Sequence, residues 1–288
     1  MRALVTGGAG FIGTNLIKRL LKDGYEVVSI DNYSLGYRKN EQEGCKYYDV
    51  DLRDITDFSS YMDKPDVIFH LGALSSVQPS LLDPKKDIDN NVNSTINVLE
   101  WARKNNIQVV YAGSSSYQGG IYSSPYAWSK HAGEQLCELY STVYDLNTTI
   151  CRFFNVYGPH HVNEGEYATV IAIWERQYLN GDPITITNDG KQKRDFTNVE
   201  DVADALVRCI GKDFRAEIFD LGSGVNYSIN ELADAFGKDY PKEYIGHRDG
   251  EYPATLGDSS KAKELLGWES QTDIKDYINK WIGDKKNV

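Results

Sequence analysis

The chain has 288 residues, 41% of them hydrophobic, enough for one large or two modest domains with a full core. Its formal net charge of −11 argues against a nucleic-acid surface, and no apolar stretch approaches the about 20 residues of a membrane span. No signal peptide is evident, and Cys45, Cys137, Cys151 and Cys209 lack metal-ligand spacing, so a cytoplasmic protein without a bound metal is expected.

Residues 2–6 are a short apolar run that reads as a buried strand. Gly7-Gly-Ala-Gly10-Phe11-Ile12-Gly13 follows, and then an amphipathic helix over 11–23 with Leu16, Ile17, Leu20 and Leu21 on one side. Strand, glycine turn and helix together give a glycine motif its meaning. Glycines allow a tight turn, a close backbone approach and close helix packing, and the helix N-terminus suits a pyrophosphate. A second strand, 26–30, ends in Asp31-Asn32. An acid about twenty residues after the glycines is where a dinucleotide's ribose 2′-hydroxyl is held. Asp31 repels a 2′-phosphate and no Arg follows directly, so NAD is expected rather than NADP.

Further strands are expected at 45–48, 66–70, 107–112 and 148–153, with helices at 54–62, 87–104 and 126–145. Asp83-Pro84 reads as a stop before the long helix. Alternating strands and helices imply an α/β fold, a doubly wound parallel sheet of Rossmann type. Past Pro159 the texture changes towards a smaller, mixed C-terminal domain, with a helix near 168–180 and a strand at 184–187. The helix near 199–211 and the strand 217–221 should return to the first domain, and 261–281 should be helical. This divides the chain into a dinucleotide-binding domain, 1–158 plus about 195–221, and a substrate domain, 159–194 and 222–288.

Ser124-Pro125-Tyr126-Ala-Trp-Ser-Lys130 opens a helix, with Tyr126 and Lys130 on one face. A phenol has an ordinary pKa of about 10, and a base working near neutrality wants a value about three units lower, worth roughly 4 kcal/mol. A neighbouring ammonium and a positive nicotinamide ring both favour the phenolate. Upstream, the strand 107–112 runs into Gly113-Ser114-Ser115-Ser116, where a serine can share the proton of a substrate hydroxyl.

These motifs resemble the extended short-chain dehydrogenase/reductase family, specifically its NAD-dependent nucleotide-sugar epimerases and dehydratases. The resemblance covers nearly the whole chain. It runs through Thr6-Gly-Gly-Ala-Gly-Phe-Ile-Gly13, Asp31-Asn32, Asp51-Leu-Arg-Asp54, His70-Leu-Gly-Ala73, Asn91-Val92, Tyr126-x-x-x-Lys130, Arg152-Phe-Phe-Asn-Val-Tyr-Gly-Pro159, Arg194-Asp-Phe, Arg248-Asp-Gly-Glu251 and 258–268. It implies that Ser114, Tyr126 and Lys130 are catalytic. It implies that Gly7, Gly10, Phe11, Ile12, Gly13, Asp31, Asn32, Asp51, Leu52, Leu71, Ala73, Asn91, Tyr126, Lys130 and Phe154 line the NAD site. Ser75, Ser115, Asn155, Thr169, Arg194, Arg248 and Thr255 would contact a nucleotide sugar, the guanidinium groups suiting phosphate oxygens. His160 and His161 read as a polar loop. The helices 87–104 and 126–145 would pair across a homodimer.

Two departures bear on substrate. Only Tyr117 to Pro125 separate the serine cluster from Tyr126, a shorter loop than the family usually carries, which implies a thinner cover over the sugar. Ser115 and Ser116 stand where the family's dehydratases and decarboxylases carry carboxyl groups. The leading expectation is a 4-epimerase of UDP-hexoses or UDP-N-acetylhexosamines, working through a 4-keto sugar with Tyr126 as base. A dehydratase or decarboxylase on a similar substrate, and a non-enzymatic NAD-binding module, remain alternatives. In the epimerases it resembles, the position matching Thr255 lies beside the sugar's 2-substituent, and a threonine there implies that an N-acetyl group is accepted.

Overall fold

The computed structural model describes residues 1–246, 250 and 252–286. Seven parallel strands form the main sheet: β1 (Arg2–Thr6), β2 (Glu26–Asp31), β3 (Cys45–Asp49), β4 (Val67–His70), β5 (Gln108–Ser114), β6 (Thr148–Phe153) and β9 (Glu217–Leu221). Their order is β3-β2-β1-β4-β5-β6-β9. The chain therefore works outward in one direction from β1 and then in the other from β4. The carboxyl ends of β1 and β4 border the crevice this reversal opens, which is where such sheets bind ligands.

One face of the sheet is covered by α1 (Phe11–Lys22), α7 (Val199–Arg208) and α9 (Ser260–Leu266), around a core of Val5, Leu16, Ile17, Leu20, Phe69, Phe219 and Trp268. Removing each of the larger aliphatic chains from water contributes about 1.5–3 kcal/mol. The other face carries α4 (Ser94–Asn105) and α5 (Pro125–Tyr144) over Leu4, Ile68, Val109, Tyr111 and Cys137. A third core, with Tyr157, Trp174, Ile184, Ile186, Phe196, Phe236 and Ile278 buried, joins α6 (Val170–Asn180), β7 (Ile184–Thr187), α8 (Ile229–Ala235) and α10 (Ile274–Lys286). Here β7 pairs in parallel with β11 (Lys242–Ile245), and β8 (Lys193–Asp195) pairs antiparallel with β10 (Asn226–Ser228).

Three segments differ from the sequence expectation. Residues 54–62 are not one helix but two single turns, Leu52–Asp54 and Phe58–Ser60. Asp51 and Asp57 each accept from a backbone N–H two residues on, a local bond that competes with helix propagation. Asp83-Pro84 starts a helix rather than stopping one: Asp83 accepts from the Lys86 N–H at 3.0 Å and Pro84 occupies the first turn of α3 (Pro84–Ile88). The path then widens into a π-helical turn, Asp89–Asn93, before α4; α2 (Val77–Leu82) lies just upstream. The tail is two helices, because α9 ends at Gly267 in the left-handed region (φ 62°). Trp268 then buries its ring and donates from Nε1 to the Asp201 carbonyl at 2.8 Å, while the Asp201 carboxylate collects Ser270, Gln271 and Thr272.

Candidate active site

A cleft of about 510 Å³ opens at the carboxyl ends of β1, β4 and β5. At one end the glycine turn leaves space only for backbone. A Cβ on Gly13 would sit 2.2 Å from the Gly7 carbonyl oxygen, whereas one on Gly10 would meet only that oxygen, at 3.2 Å. Gly10 thus presents a bare backbone to the cleft at the start of α1. Asp31 holds this turn by accepting from the Ala9 N–H at 2.9 Å and the Tyr33 N–H at 2.8 Å. Burial raises its pKa against those bonds. Asn32 donates to Asp51 at 3.0 Å, and Arg53 holds the Asp51 carboxyl well below its usual range.

Behind the turn runs a buried relay. Thr6 Oγ1 accepts from the N–H groups of Leu71 (3.1 Å) and Gly72 (3.0 Å), so its own proton goes to His70 Nδ1 at 2.8 Å. The ring therefore carries its proton on Nε2 and donates to Thr95 Oγ1 at 3.0 Å, which donates to the Asn91 carbonyl at 2.7 Å. Burial pushes the His70 pKa down to about 3, so the imidazole is neutral.

At the other end α5 is started by Ser124, whose hydroxyl accepts from the Ala127 N–H at 3.1 Å, with Pro125 in the first turn. This sets the Tyr126 hydroxyl 3.3 Å from Ser114 Oγ at the end of β5. Ser114 also accepts from the Ser116 N–H at 3.2 Å, which leaves its own proton to be donated elsewhere. Burial pushes Tyr126 up to about 12, the Ser114 bond opposing and the Asp87 charge adding to it. Lys130 is pushed down to about 8, also by burial, with Glu134 opposing. Its ammonium lies 4.4 Å from the centre of the Tyr111 ring. The lowered phenol expected from the Tyr–Lys spacing is thus not a property of the chain alone: desolvation of the phenolate outweighs the hydrogen bond with Ser114.

Most residues expected at the site converge on this cleft. Gly7, Gly10, Phe11, Ile12, Gly13, Asp31, Asn32, Asp51, Leu52, Leu71, Ala73, Ser75, Ser114, Ser115, Tyr126, Lys130, Asn155 and Thr169 all line it. Four do not. Phe154 is fully buried, and its neighbour Phe153 takes the wall, because consecutive residues at a strand end face opposite ways. Asn91 points inward from the π turn, and its amide holds Leu74 by both backbone groups, accepting from N at 2.8 Å and donating to O at 3.1 Å; Asn90 lines the cleft instead. Arg194 lines a side pocket of about 140 Å³ that shares Asn155, Ala168, Val170 and Phe196 with the main cleft. Thr255 is 1% exposed and sits behind the wall, where Oγ1 accepts from the Asp195 N–H at 3.1 Å and from Asn155 Nδ2 at 3.3 Å. Thr255 thus supports the wall through Asn155 rather than lining the cleft itself. Arg248 lies outside the described residues. His160 and His161 are absent from the lining, His161 bonding Glu175 at 2.8 Å. Tyr167, Ser76 and Tyr252 line the cleft and were not singled out from sequence. Tyr252 follows directly on the Arg248-Asp-Gly-Glu251 motif, which was the available signal.

The hydroxyls of Ser116 and Thr169 are buried in this wall without a partner among the described residues. Bare glycine backbone, a buried acid at the end of β2 and unspent hydroxyls suit a dinucleotide and a polar second ligand. Residues 3–222 match the NAD dependent epimerase/dehydratase family. The chain belongs to this family. NAD is its cofactor and it is an enzyme. It is 36% identical to a UDP-glucose 4-epimerase of Mycolicibacterium smegmatis, over 98% of this chain and 97% of that one. Its fold superposes on the UDP-glucose 4-epimerase of Thermotoga maritima with UDP-glucose at a TM-score of 0.91 and 29% identity, covering 100% and 99% of the two chains. The Thermus thermophilus UDP-glucose 4-epimerase in complex with NAD matches at 0.88 and 29% identity, with all of both chains covered.

Proposed function

We propose that this chain is a nucleotide-sugar 4-epimerase acting on a UDP-hexose or UDP-N-acetylhexosamine. The observation that carries this reading is the chemistry of the reacting end. Ser114 and Tyr126 face the cleft together, and the carboxylates lining it among the described residues, Asp31 and Asp51, lie at the β2 end. Elimination of a sugar hydroxyl needs a further acid and base, and Ser115 and Ser116 carry no carboxyl group. Inversion at C4 needs a base that can also return its proton.

Bound NAD supplies a hydride acceptor that is regenerated within the cycle. The sheet half, 1–158 with about 195–221, binds it: Gly7, Gly10 and Gly13 approach the pyrophosphate and Asp31 accepts from the ribose. Lys130, which lines the cleft, would hold the ribose beside the nicotinamide. Segments 159–194 and 222–288 receive the nucleotide sugar, with Asn155 and Arg194 on its diphosphate side. Ser114 donates its unspent proton to the sugar O4 and orients it. Tyr126 takes the O4 proton and later returns it. Its high resting pKa makes ionisation depend on the positive charge of the oxidised cofactor, which couples the base to the loaded state. A second copy pairs through α4 and α5. Leu139, Val143 and Tyr144 remain exposed on α5, whereas Leu99 of α4 and Tyr140 of α5 turn into the core.

The test is incubation of purified protein with UDP-, GDP- and CDP-sugars and assignment of products by NMR. Interconversion of gluco and galacto forms without added reductant supports the reading. A deoxy-keto sugar or released carbon dioxide would establish the lyase alternative instead.

A further inference from the structure

The short connection after β5 is pinned at three consecutive residues. The Tyr117 hydroxyl donates to Asp220 at 2.9 Å, with the Arg152 guanidinium 4.0 Å from its ring centre. The Gln118 amide grips the main chain of Leu256, donating to its carbonyl at 2.7 Å and accepting from its N–H at 3.0 Å. Gly119 lies against the ring of Tyr252, so closely that a Cβ there would stand 2.3 Å from Cδ1. Arg194 places its guanidinium carbon 4.8 Å from the centre of the same ring. Tyr252 is half-buried and lines the cleft in company with Ser114, Ser115, Ser116 and Tyr126. The buried, unpartnered hydroxyl of Ser116 shares this wall.

The shortened loop therefore does not leave the sugar end uncovered. It hands part of the wall to an aromatic ring from a segment more than a hundred residues away in sequence, and fixes that ring's position through Gln118 and Gly119. We infer that Tyr252 is the specificity-determining residue of this site, its ring filling the volume that a bulky sugar substituent needs and its hydroxyl serving a neutral sugar hydroxyl. The site accordingly favours plain UDP-hexoses over their N-acetylated counterparts. This rests on the nucleotide-sugar reading and narrows it. Thr255 has no part in the choice, because it lies behind the wall.

The experiment compares wild-type, Tyr252→Phe and Tyr252→Ala enzymes, each loaded with NAD, on UDP-galactose and UDP-N-acetylgalactosamine. The readouts are kcat/KM for each sugar and binding of each by calorimetry. Wild type should favour the plain hexose, and Tyr252→Ala should shrink that preference by about 10-fold or more, the scale on which pocket volume discriminates. Tyr252→Phe should keep the preference and raise KM for both sugars. Gly119→Ala should shift the preference in the same direction as Tyr252→Ala, because the added methyl displaces the ring; it keeps the test open if Tyr252→Ala fails to fold. A wild-type preference for the N-acetyl sugar, or a ratio unchanged in both Tyr252→Ala and Gly119→Ala, overturns the inference while leaving the epimerase reading intact. Failure of wild type to bind or convert either sugar overturns both.

Discussion

The two ends of the cleft are built on different principles. The cofactor end is local: one strand, one glycine turn and one helix within the first 22 residues, closed by Asp31 at the next strand end. Its chemistry is main-chain chemistry, and its side chains are chosen for being absent or for holding backbone. The end proposed for the substrate gathers Ser114, Tyr126, Asn155, Thr169 and Tyr252 from five separate segments, and its chemistry is that of hydroxyls and rings. A backbone-built site tolerates little variation, because a Cβ on Gly13 would strike the Gly7 carbonyl and one on Gly7 the backbone of Gly72. A side-chain-built site can change ligand with a single substitution. This contrast explains how one family keeps its cofactor while varying its reactions.

The sharpest break between the two ends is Tyr126→Phe. It should lower turnover by about 10³-fold or more, in the upper range of general acid–base contributions, while NAD remains bound; absorbance of the released dinucleotide after denaturation checks the second half. Comparable activity in the variant would remove Tyr126 from the mechanism. Ser114→Ala should cost about 10²-fold in kcat, the scale of one lost hydrogen bond at a reacting oxygen, with cofactor retention again unchanged.

Thr255→Val separates lining from support within the substrate end. Removing Oγ1 leaves the buried Asp195 N–H and Asn155 amide short of an acceptor, so a loss of about 1–3 kcal/mol in urea unfolding is expected. The ratio of activities on plain and N-acetylated sugars should not move. A changed ratio with unchanged stability would return Thr255 to the wall.

The cofactor end should show its dependence on the His70 relay through pH. The folded pKa of about 3 lies below the ordinary 6.5, so between these values the unfolded chain binds a proton that the folded chain refuses. Stability from this group is complete above pH 6.5 and is lost as pH falls towards 3, at up to about 1.4 kcal/mol per pH unit. Urea midpoints at pH 7.5, 6 and 5 should fall, and His70→Asn should flatten that fall. Parallel slopes in the two proteins would show that other groups carry the pH dependence.

Misplacements of site residues from sequence share a cause. Phe154 was expected where Phe153 lies, Asn91 where Asn90 lies, and Thr255 where Tyr252 lies. At a strand end a single step reverses the face a side chain points to. The π turn at Asp89–Asn93 changes the helical phase by a fraction of a turn, enough to swap Asn90 and Asn91 between cleft and interior. Thr255 lies four residues beyond the Arg248-Asp-Gly-Glu251 motif, and distance along a loop does not determine direction.

What the amino-acid sequence determined by itself is the parallel sheet, the glycine turn, Asp31, the Tyr126–Lys130 face and the serine cluster. Each follows from interactions within one or two adjacent elements: hydrophobic periodicity, backbone sterics, a capped helix start. Only the tertiary structure decided that Tyr126 is held as a phenol by burial, that Asn91 braces Leu74 and that Thr255 props the wall from behind. It also decided that Tyr252, packed against Gly119, lines the cleft with Ser114 and Tyr126. Those outcomes depend on which distant segments exclude water from each other, and that is settled only when the whole chain has packed.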